Sequence, residues 1–494
     1  MKFKAELSSL SAQTKLMAFG YKIGYLWLLC ALAGCTMGPD YRPSTPIVPE
    51  RWQAEQGNGL DLKPISPEKL KSWWRSFGDA RLNRLMDLAL AGNLDLKIAL
   101  ARVDQARADR RSIRAELFPQ VGVKAGAQRN LNLSPIYSRG LSFNIFELGF
   151  DALWEVDLFG RQQRRLEAAS ADLDAAHEEQ AQALVTLTAE LARAYVEYRN
   201  VQNQLRITGS NLQTQQHTLK LTERLFNEGV GSRHDVVRAR ALVEDTEAQI
   251  PALEAQMIAA LRQLEMLVGK QPGALAADLE ETGAVPVAPG RELLASPAMT
   301  IRHRPDLAIA ERRLAAATAM HGAAVAELFP KISLSAFLGL RNTDIESLFK
   351  SAAFSYSTTS NLMQPLLNFG RIRAGIDLAE AKQNEAYLAY EKAVLEALRD
   401  TETALTRYLK EEVRRQILGK SVEDQRESVR LSELRYREGV ISFLDVLDAQ
   451  RAQYAAEIEL ARSEAEASTN LIAFYKTLGG GADAALPEVV QKAL

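Results

Sequence analysis

Apolar positions along the chain follow two periods, and each change of period marks a new element. Leu184, Leu187, Leu191, Ala194, Tyr198, Val201, Leu205, Thr208 and Leu212 alternate spacings of three and four, and Val236, Ala239, Val243, Thr246, Ile250, Leu253, Met257, Ala260, Leu264 and Leu267 do the same. Such alternation is a coiled-coil seam, so the two runs predict long helices packed on each other. Arg161 to Asn227 is 67 residues without a proline, and an unbroken helix of that length measures about 100 Å. The arms meet at Gly229-Val230-Gly231-Ser232, and a second pair meets at Gly439-Val440-Ile441-Ser442. Glycine takes the left-handed position after a helix and serine caps the next one, while Asp235 or Asp445, three residues after the serine, faces orphan amides. Each turn therefore predicts an αα-hairpin. The second seam carries Thr401, Glu411 and Arg415, so its arms are expected to face water on a second side. Pro251 is expected to kink the first return arm.

Between the helical runs the period drops to two. Phe146, Leu148, Phe150, Ala152, Trp154, Val156 and Leu158 alternate with Glu147, Gly149, Asp151, Glu155 and Asp157, with Leu153 as the exception. Ile332, Leu334, Ala336, Leu338 and Leu340 alternate with small polar residues, Val121 to Ala127 do so more weakly, and Ala352 to Leu367 is rich in serine and threonine. Strands are expected at about 120–129, 142–158, 331–341 and 352–367. Such lengths with one apolar face suit membrane strands over a watery lumen; alternation alone also fits a half-buried soluble sheet, a reading that the lipoprotein address described below disfavours. Four strands cannot close a membrane barrel, and open edges are not tolerated in lipid, so the membrane reading requires several chains to pool their strands.

The body is written twice. A shift of 211 aligns ELFP at 116–119 with ELFP at 327–330, and a shift of 210 aligns FGR at 159–161 with FGR at 369–371, Tyr198 with Tyr408, and Glu228-Gly229-Val230 with Glu438-Gly439-Val440. A repeat this long is a duplicated domain rather than a solenoid unit. The expected division is a first repeat over 71–285 with its hairpin at 161–268, a second over 286–478 with its hairpin at 371–478, and a tail at 479–494.

Lys2, Lys4, Lys15 and Lys22 precede the apolar stretch from Ile23 to Ala33, which is too short to span a bilayer and fits a signal-peptide core over 1–34. Leu32-Ala33-Gly34 before Cys35 resembles a bacterial lipobox, which implies N-acyl and S-diacylglycerol lipid on Cys35 as the mature first residue. Thr36 in place of an aspartate favours sorting to the outer membrane. Prolines 39, 43, 46, 49, 64 and 67 make 35–70 an expected extended tether.

Composition narrows the chemistry. The 494 residues are 47% apolar and 25% charged with a net charge of −2, ordinary for an ordered protein and unlike a nucleic-acid binder. Cys30 and Cys35 offer neither a disulfide framework nor a CxxC site, and His177, His217, His234, His303 and His321 lack metal-ligand spacing, so no metal is expected. There is no GxSxG and no P-loop, so an enzyme is not expected.

The duplicated ELFP and FGR segments, the 67-residue run, the lipobox and both turns, above all REGVISFLDVLDAQR at 437–451, resemble the TolC-type outer-membrane efflux channels, and within them the lipoprotein branch of resistance-nodulation-division (RND) systems, the NodT-like outer-membrane factors. The likeness covers about residues 70 to 478. It implies a homotrimer whose strands form a 12-stranded outer-membrane barrel, continuous with a periplasmic α-barrel. Asp445 and Asp448 match aspartates that ring the periplasmic entrance, Tyr436 matches a gating tyrosine, and the turns at Gly229, Val230, Ser232, Gly439, Val440 and Ser442 match tips that meet a periplasmic adaptor. Ile441 stands where some members carry an arginine that locks the entrance. Asp445 and Asp448 share one helical face, and three copies would favour cations, with mutual repulsion raising some of their pKa values. Capping is a second role for Asp445.

The expected function is a passive exit duct for small molecules delivered by an inner-membrane RND-type pump and an adaptor. A type I secretion channel and a periplasmic coiled-coil adaptor are the alternatives. An adaptor normally carries one hairpin, whereas this chain carries two.

Overall fold

The computed structural model describes residues 36–43, 46, 48–53, 63–132, 141–287, 292–294 and 296–484. Cys35 and the signal segment lie outside them. In chain order the main elements are α1 (Ala80–Gly92), α2 (Leu94–Ala115), β1 (Gln120–Asn132), β2 (Leu141–Val156), α3 (Arg161–Asn227), α4 (Arg233–Glu247), α5 (Gln249–Leu267), α6 (Pro305–Ala326), β3 (Lys331–Asn342), β4 (Phe354–Met363), α7 (Arg371–Arg437) and α8 (Phe443–Thr477). The protein is mainly helical with a small sheet. Its chain clusters into two compact units, one of 1–44, 104–175 and 310–390 and the other of 45–103, 176–309 and 391–494, so each draws on both repeats.

The first unit holds the four-stranded antiparallel sheet, in the order β1-β2-β3-β4. Register puts Val123 beside Phe150, Phe150 beside Leu338, and Leu338 beside Tyr356, all on one face. These four are 73%, 59%, 52% and 74% exposed, so among the described residues the sheet has an uncovered apolar face. Its other face is polar: Glu147 pairs with Lys124 at 2.5 Å and with Arg341 at 2.9 Å. Phe337 lies there too, packed over Gly149 and Gly339, where a Cβ on either glycine would come within 3.0 Å of the ring. Leu153, out of phase in sequence, sits in the row of Gln120 and Ser335 on this polar face. The fourth strand is shorter than the serine-rich run suggested, ending at Met363.

Residues 36–43 are packed rather than a free leash. Arg164, whose side chain is 3% exposed, donates to the Met37 carbonyl at 3.1 Å and to Asp40 at 2.7 Å. Tyr41 donates to Glu311 at 2.9 Å, and Gly38 lies so close to Gly322 that a Cβ would meet its Cα at 2.5 Å. Proline content stiffened this segment, but it could not reveal that a buried arginine waits for its carbonyls.

The second unit is organised around a core in which Trp73, Leu82, Met86 and Leu90 pack with Leu184, Leu187, Leu191, Tyr195 and Tyr198 of α3 and with Leu471, Phe474 and Tyr475 of α8. Trp73 stacks on Tyr475 with centroids 5.1 Å apart. Along α3 the seam positions Leu184, Leu187, Leu191, Tyr198, Val201 and Thr208 are buried, while Ala194, Leu205 and Leu212 are half-buried. On α7, Thr401 and Glu411 are buried as well, contrary to the expectation of a watery second side: the Thr401 hydroxyl donates to the Ala397 carbonyl, and Ser463 donates to Glu411 at 2.5 Å. Satisfied hydrogen bonds let polar residues occupy a seam. Arg415 is held by Glu412 at 2.6 Å.

The return arm of the first hairpin is broken at Ala248, between α4 and α5. Pro251 explains the position, because its ring has no N–H for the carbonyl of Glu247 and would clash with it. The second return arm, α8, is unbroken for 35 residues.

Candidate gate and docking tips

Both hairpin tips lie in the second unit and close by the same backbone device. After α3, Gly229 takes φ 79°, and Val230 and Gly231 both donate to the Leu225 carbonyl at 2.9 Å. After α7, Gly439 takes φ 73° and Val440 donates to Arg435 at 2.9 Å. Glycine is needed at these two positions because the left-handed region is costly for a residue with a Cβ.

The caps differ. Ser232 accepts from the His234 amide at 3.0 Å through its own hydroxyl. At the second tip the Asp445 carboxylate does the work, accepting from the Ser442 amide at 2.9 Å and the Ser442 hydroxyl at 2.7 Å. Those two bonds from Ser442, the hydroxyl's first, hold the Asp445 carboxyl below its ordinary pKa. Within one chain the shift is therefore downward, opposite to the rise expected from mutual repulsion in a ring. Asp448 is exposed on the same face of α8 and has neither an ion pair nor a hydrogen bond among the described residues.

Behind the tips the two hairpins are joined. Ala239 and Leu242 of α4 and Phe443 and Leu447 of α8 form a buried cluster, with Leu219 and Tyr436 packed against it. Tyr436 tilts against Phe443, centroids 5.5 Å apart, and its phenol is pushed up by burial and then by the charge of Asp235. Tyr436 thus belongs to the same cluster as Phe443, and its titration neighbour is Asp235 on the first hairpin. Val230 and Val440 stand out from the tips at 78% and 60% exposure. Glycines 229 and 439 and serines 232 and 442 are exposed beside them.

Two residues here escaped the sequence reading. Gln450, 3% exposed, donates to Glu433 at 3.3 Å and to Thr218 at 3.4 Å, and the Tyr454 hydroxyl donates to Gln249 at 2.7 Å. Their signal is positional: Phe443, Leu447, Gln450 and Tyr454 keep the three-four spacing, so a polar side chain at the third place had to find partners inside.

Among the described residues no group of three or more His, Cys, Asp or Glu could hold a metal ion, and no helix is long and apolar enough to cross a membrane.

Comparison with known proteins places this geometry. The family model "Outer membrane efflux protein" matches twice, over residues 85–270 and 297–480. Nodulation protein T of Rhizobium leguminosarum bv. trifolii is 30% identical over 435 residues, covering 88% of this chain and 92% of that protein. The solvent efflux pump outer membrane protein SrpC of Pseudomonas putida is 32% identical, covering 92% and 97%. Among solved structures, the outer-membrane channel OprN aligns with TM-score 0.85 at 36% identity over 91% of this chain and all of that one. The open-state MtrE outer membrane channel of Neisseria gonorrhoeae aligns with TM-score 0.78 at 28% identity over 92% of this chain and all of that one. SrpC, OprN and MtrE are named as an efflux pump component or as outer-membrane channels. The chain belongs to the outer membrane efflux protein family and serves as an outer-membrane exit component of efflux.

Proposed function

We propose that three copies of this chain assemble into a continuous water-filled duct, through which small molecules handed over by an inner-membrane pump of the RND type and a periplasmic adaptor leave the cell. The observation that carries this reading is the sheet: four antiparallel strands with one exposed apolar face, one polar face, and no partner for the outer edges of β1 and β4 among the described residues. In lipid an open edge is not viable, and pooling four strands from each of three chains gives a closed 12-stranded barrel. Long helices support the same stoichiometry. Leu388, Leu395, Val413, Ile417, Leu431 and Leu434 of α7 are 43% to 67% exposed, apolar positions left for a neighbouring copy.

In this reading residues 71–285 and 286–478 are the two channel repeats, preceded by a signal peptide at 1–34 and a lipid-bearing Cys35 that inserts in the outer membrane. Asp445 and Asp448 of three chains ring the periplasmic entrance, with Tyr436 behind them on the preceding arm. The tips at Gly229, Val230, Ser232, Gly439, Val440 and Ser442 receive the adaptor. A ring of carboxylates on a narrow axis concentrates cations. No bond is made or broken in the duct, and energy comes from the pump.

Planar bilayers test the reading. Purified protein should conduct, and Asp445→Asn with Asp448→Asn should reduce its preference for cations. Protein that forms no pore would overturn the duct, and a pore with unchanged ion preference would remove the two aspartates from the entrance.

A further inference from the structure

The two repeats are joined inside one chain by a contact whose halves recur, unpaired, at the chain's outer edges. Phe159, two residues before α3, stacks on Phe329, two residues before β3, with centroids 4.8 Å apart and planes at 18°. Beside them Arg161 lies 3.7 Å from Glu327. By the offsets of 210 and 211, Phe159 and Arg161 correspond to Phe369 and Arg371, while Phe329 and Glu327 correspond to Phe118 and Glu116. Geometry obeys the same offsets: Val121 pairs with Ala152 as Ile332 pairs with Leu362, and Trp154 donates to the Leu117 carbonyl as Gln364 donates to the Leu328 carbonyl.

In the second pair the rings have no ring partner among the described residues. Phe118 is 57% exposed and Phe369 100% exposed. Phe369 is also the one non-glycine residue with positive φ among the described residues, at 50°. The copies thus depart from each other at the ring that lacks its neighbour.

We propose that this junction is repeated between chains: Phe369 of one copy stacks on Phe118 of the next, Arg371 faces Glu116, and β4 pairs with the next copy's β1 in the register that β2 and β3 use. That register sets Leu362 opposite Ala125 and Tyr356 opposite Leu131. All four lie on the apolar face, so the face continues across the seam without a break in pleat. Glu116 already holds Arg165 at 2.6 Å and would be shared between two guanidinium groups. The inference rests on the trimeric reading above and adds to it the side chains that close the ring.

A cysteine pair tests it in the full chain in detergent. Phe118→Cys with Phe369→Cys, treated with a short bis-maleimide, should give covalent dimer and trimer bands after denaturation. Either single variant should give monomer, as should Phe369→Cys combined with Leu131→Cys at the far end of β1. Particle mass before cross-linking separates the two levels of failure. A trimer that does not cross-link, or that links equally through Leu131→Cys, overturns the contact and leaves the trimer standing; a monomer overturns both. A second measurement avoids thiols: Arg371→Glu should lower the trimer's Tm, and Glu116→Arg in the same chain should restore most of that loss. Absence of rescue counts against the Arg371 and Glu116 pairing.

Discussion

In the proposed duct, capping chemistry and pore chemistry would draw on one carboxylate at Asp445. Its hydrogen bonds to Ser442 fix the first turn of α8, and its depressed pKa means that the cap holds above the ordinary carboxylate pKa of about 3.9 and is lost as pH falls through the lower folded value. Asp445→Ala is expected to speed amide hydrogen exchange at Ser442 and the residues after it, and Asp448→Ala to leave that exchange unchanged. Equal effects would show that the cap is not what orders the tip. Glu265 shows the same sign in a buried place. It is 1% exposed; burial alone would raise its pKa, but the amides of Leu275 and Gly273 and the guanidinium of Arg262 outweigh burial and lower it. Glu265→Ala leaves two amides without an acceptor and should cost about 1–3 kcal/mol in thermal unfolding at neutral pH. The loss should shrink as acid protonates the wild-type carboxylate. Asp445 could be read as a cap because caps are local. Arg164, Glu265 and Gln450 could not, since each finds partners that only the folded chain brings near.

At the scale of elements, periodicity carried far because both periods are set by the backbone. The heptad runs on α3 and α4 and the alternation on β2 and β3 became the seam and the two-faced sheet, and the turns at Gly229 and Gly439 became the tips. What failed was the fate of polar residues within a seam: Thr401 and Glu411 read as solvent-facing and are buried, because hydrogen bonds to Ala397 and from Ser463 are invisible to a hydropathy pattern. Helix continuity, by contrast, turns on one residue. Pro251 stands in the broken first return arm, and its counterpart by the 210 offset is Ala461, 2% exposed in the middle of unbroken α8. Ala461→Pro is expected to destabilise the protein by about 3 kcal/mol or more, as a proline inside a helix removes a hydrogen bond and clashes with the preceding turn. Pro251→Ala should change stability by about 1 kcal/mol or less, because the chain there is already accommodated. Thermal unfolding of the two variants checks the asymmetry, and comparable losses would mean that the break at Ala248 has another cause.

For the whole molecule, the decisive quantity is what covers the apolar face of the sheet. Val123, Phe150, Leu338 and Tyr356 form one row across all four strands, and none of the described residues covers them. A soluble half-buried sheet would have laid a helix or a second sheet there, since an exposed apolar row of this breadth marks an interaction surface. In the duct proposed above, lipid is the cover. The two faces should then respond oppositely to one charge. Leu338→Lys puts an ammonium on the lipid side, where a lysine near the bilayer midplane costs about 2–4 kcal/mol, so the folded, heat-modifiable form recovered from outer membranes should fall sharply. Ser357→Lys puts the same group on the polar face, in the row of Gly122, Asp151 and Phe337, and should leave that yield near wild type. Tolerance of both substitutions, or loss with both, would mean that the faces are not divided between lipid and water.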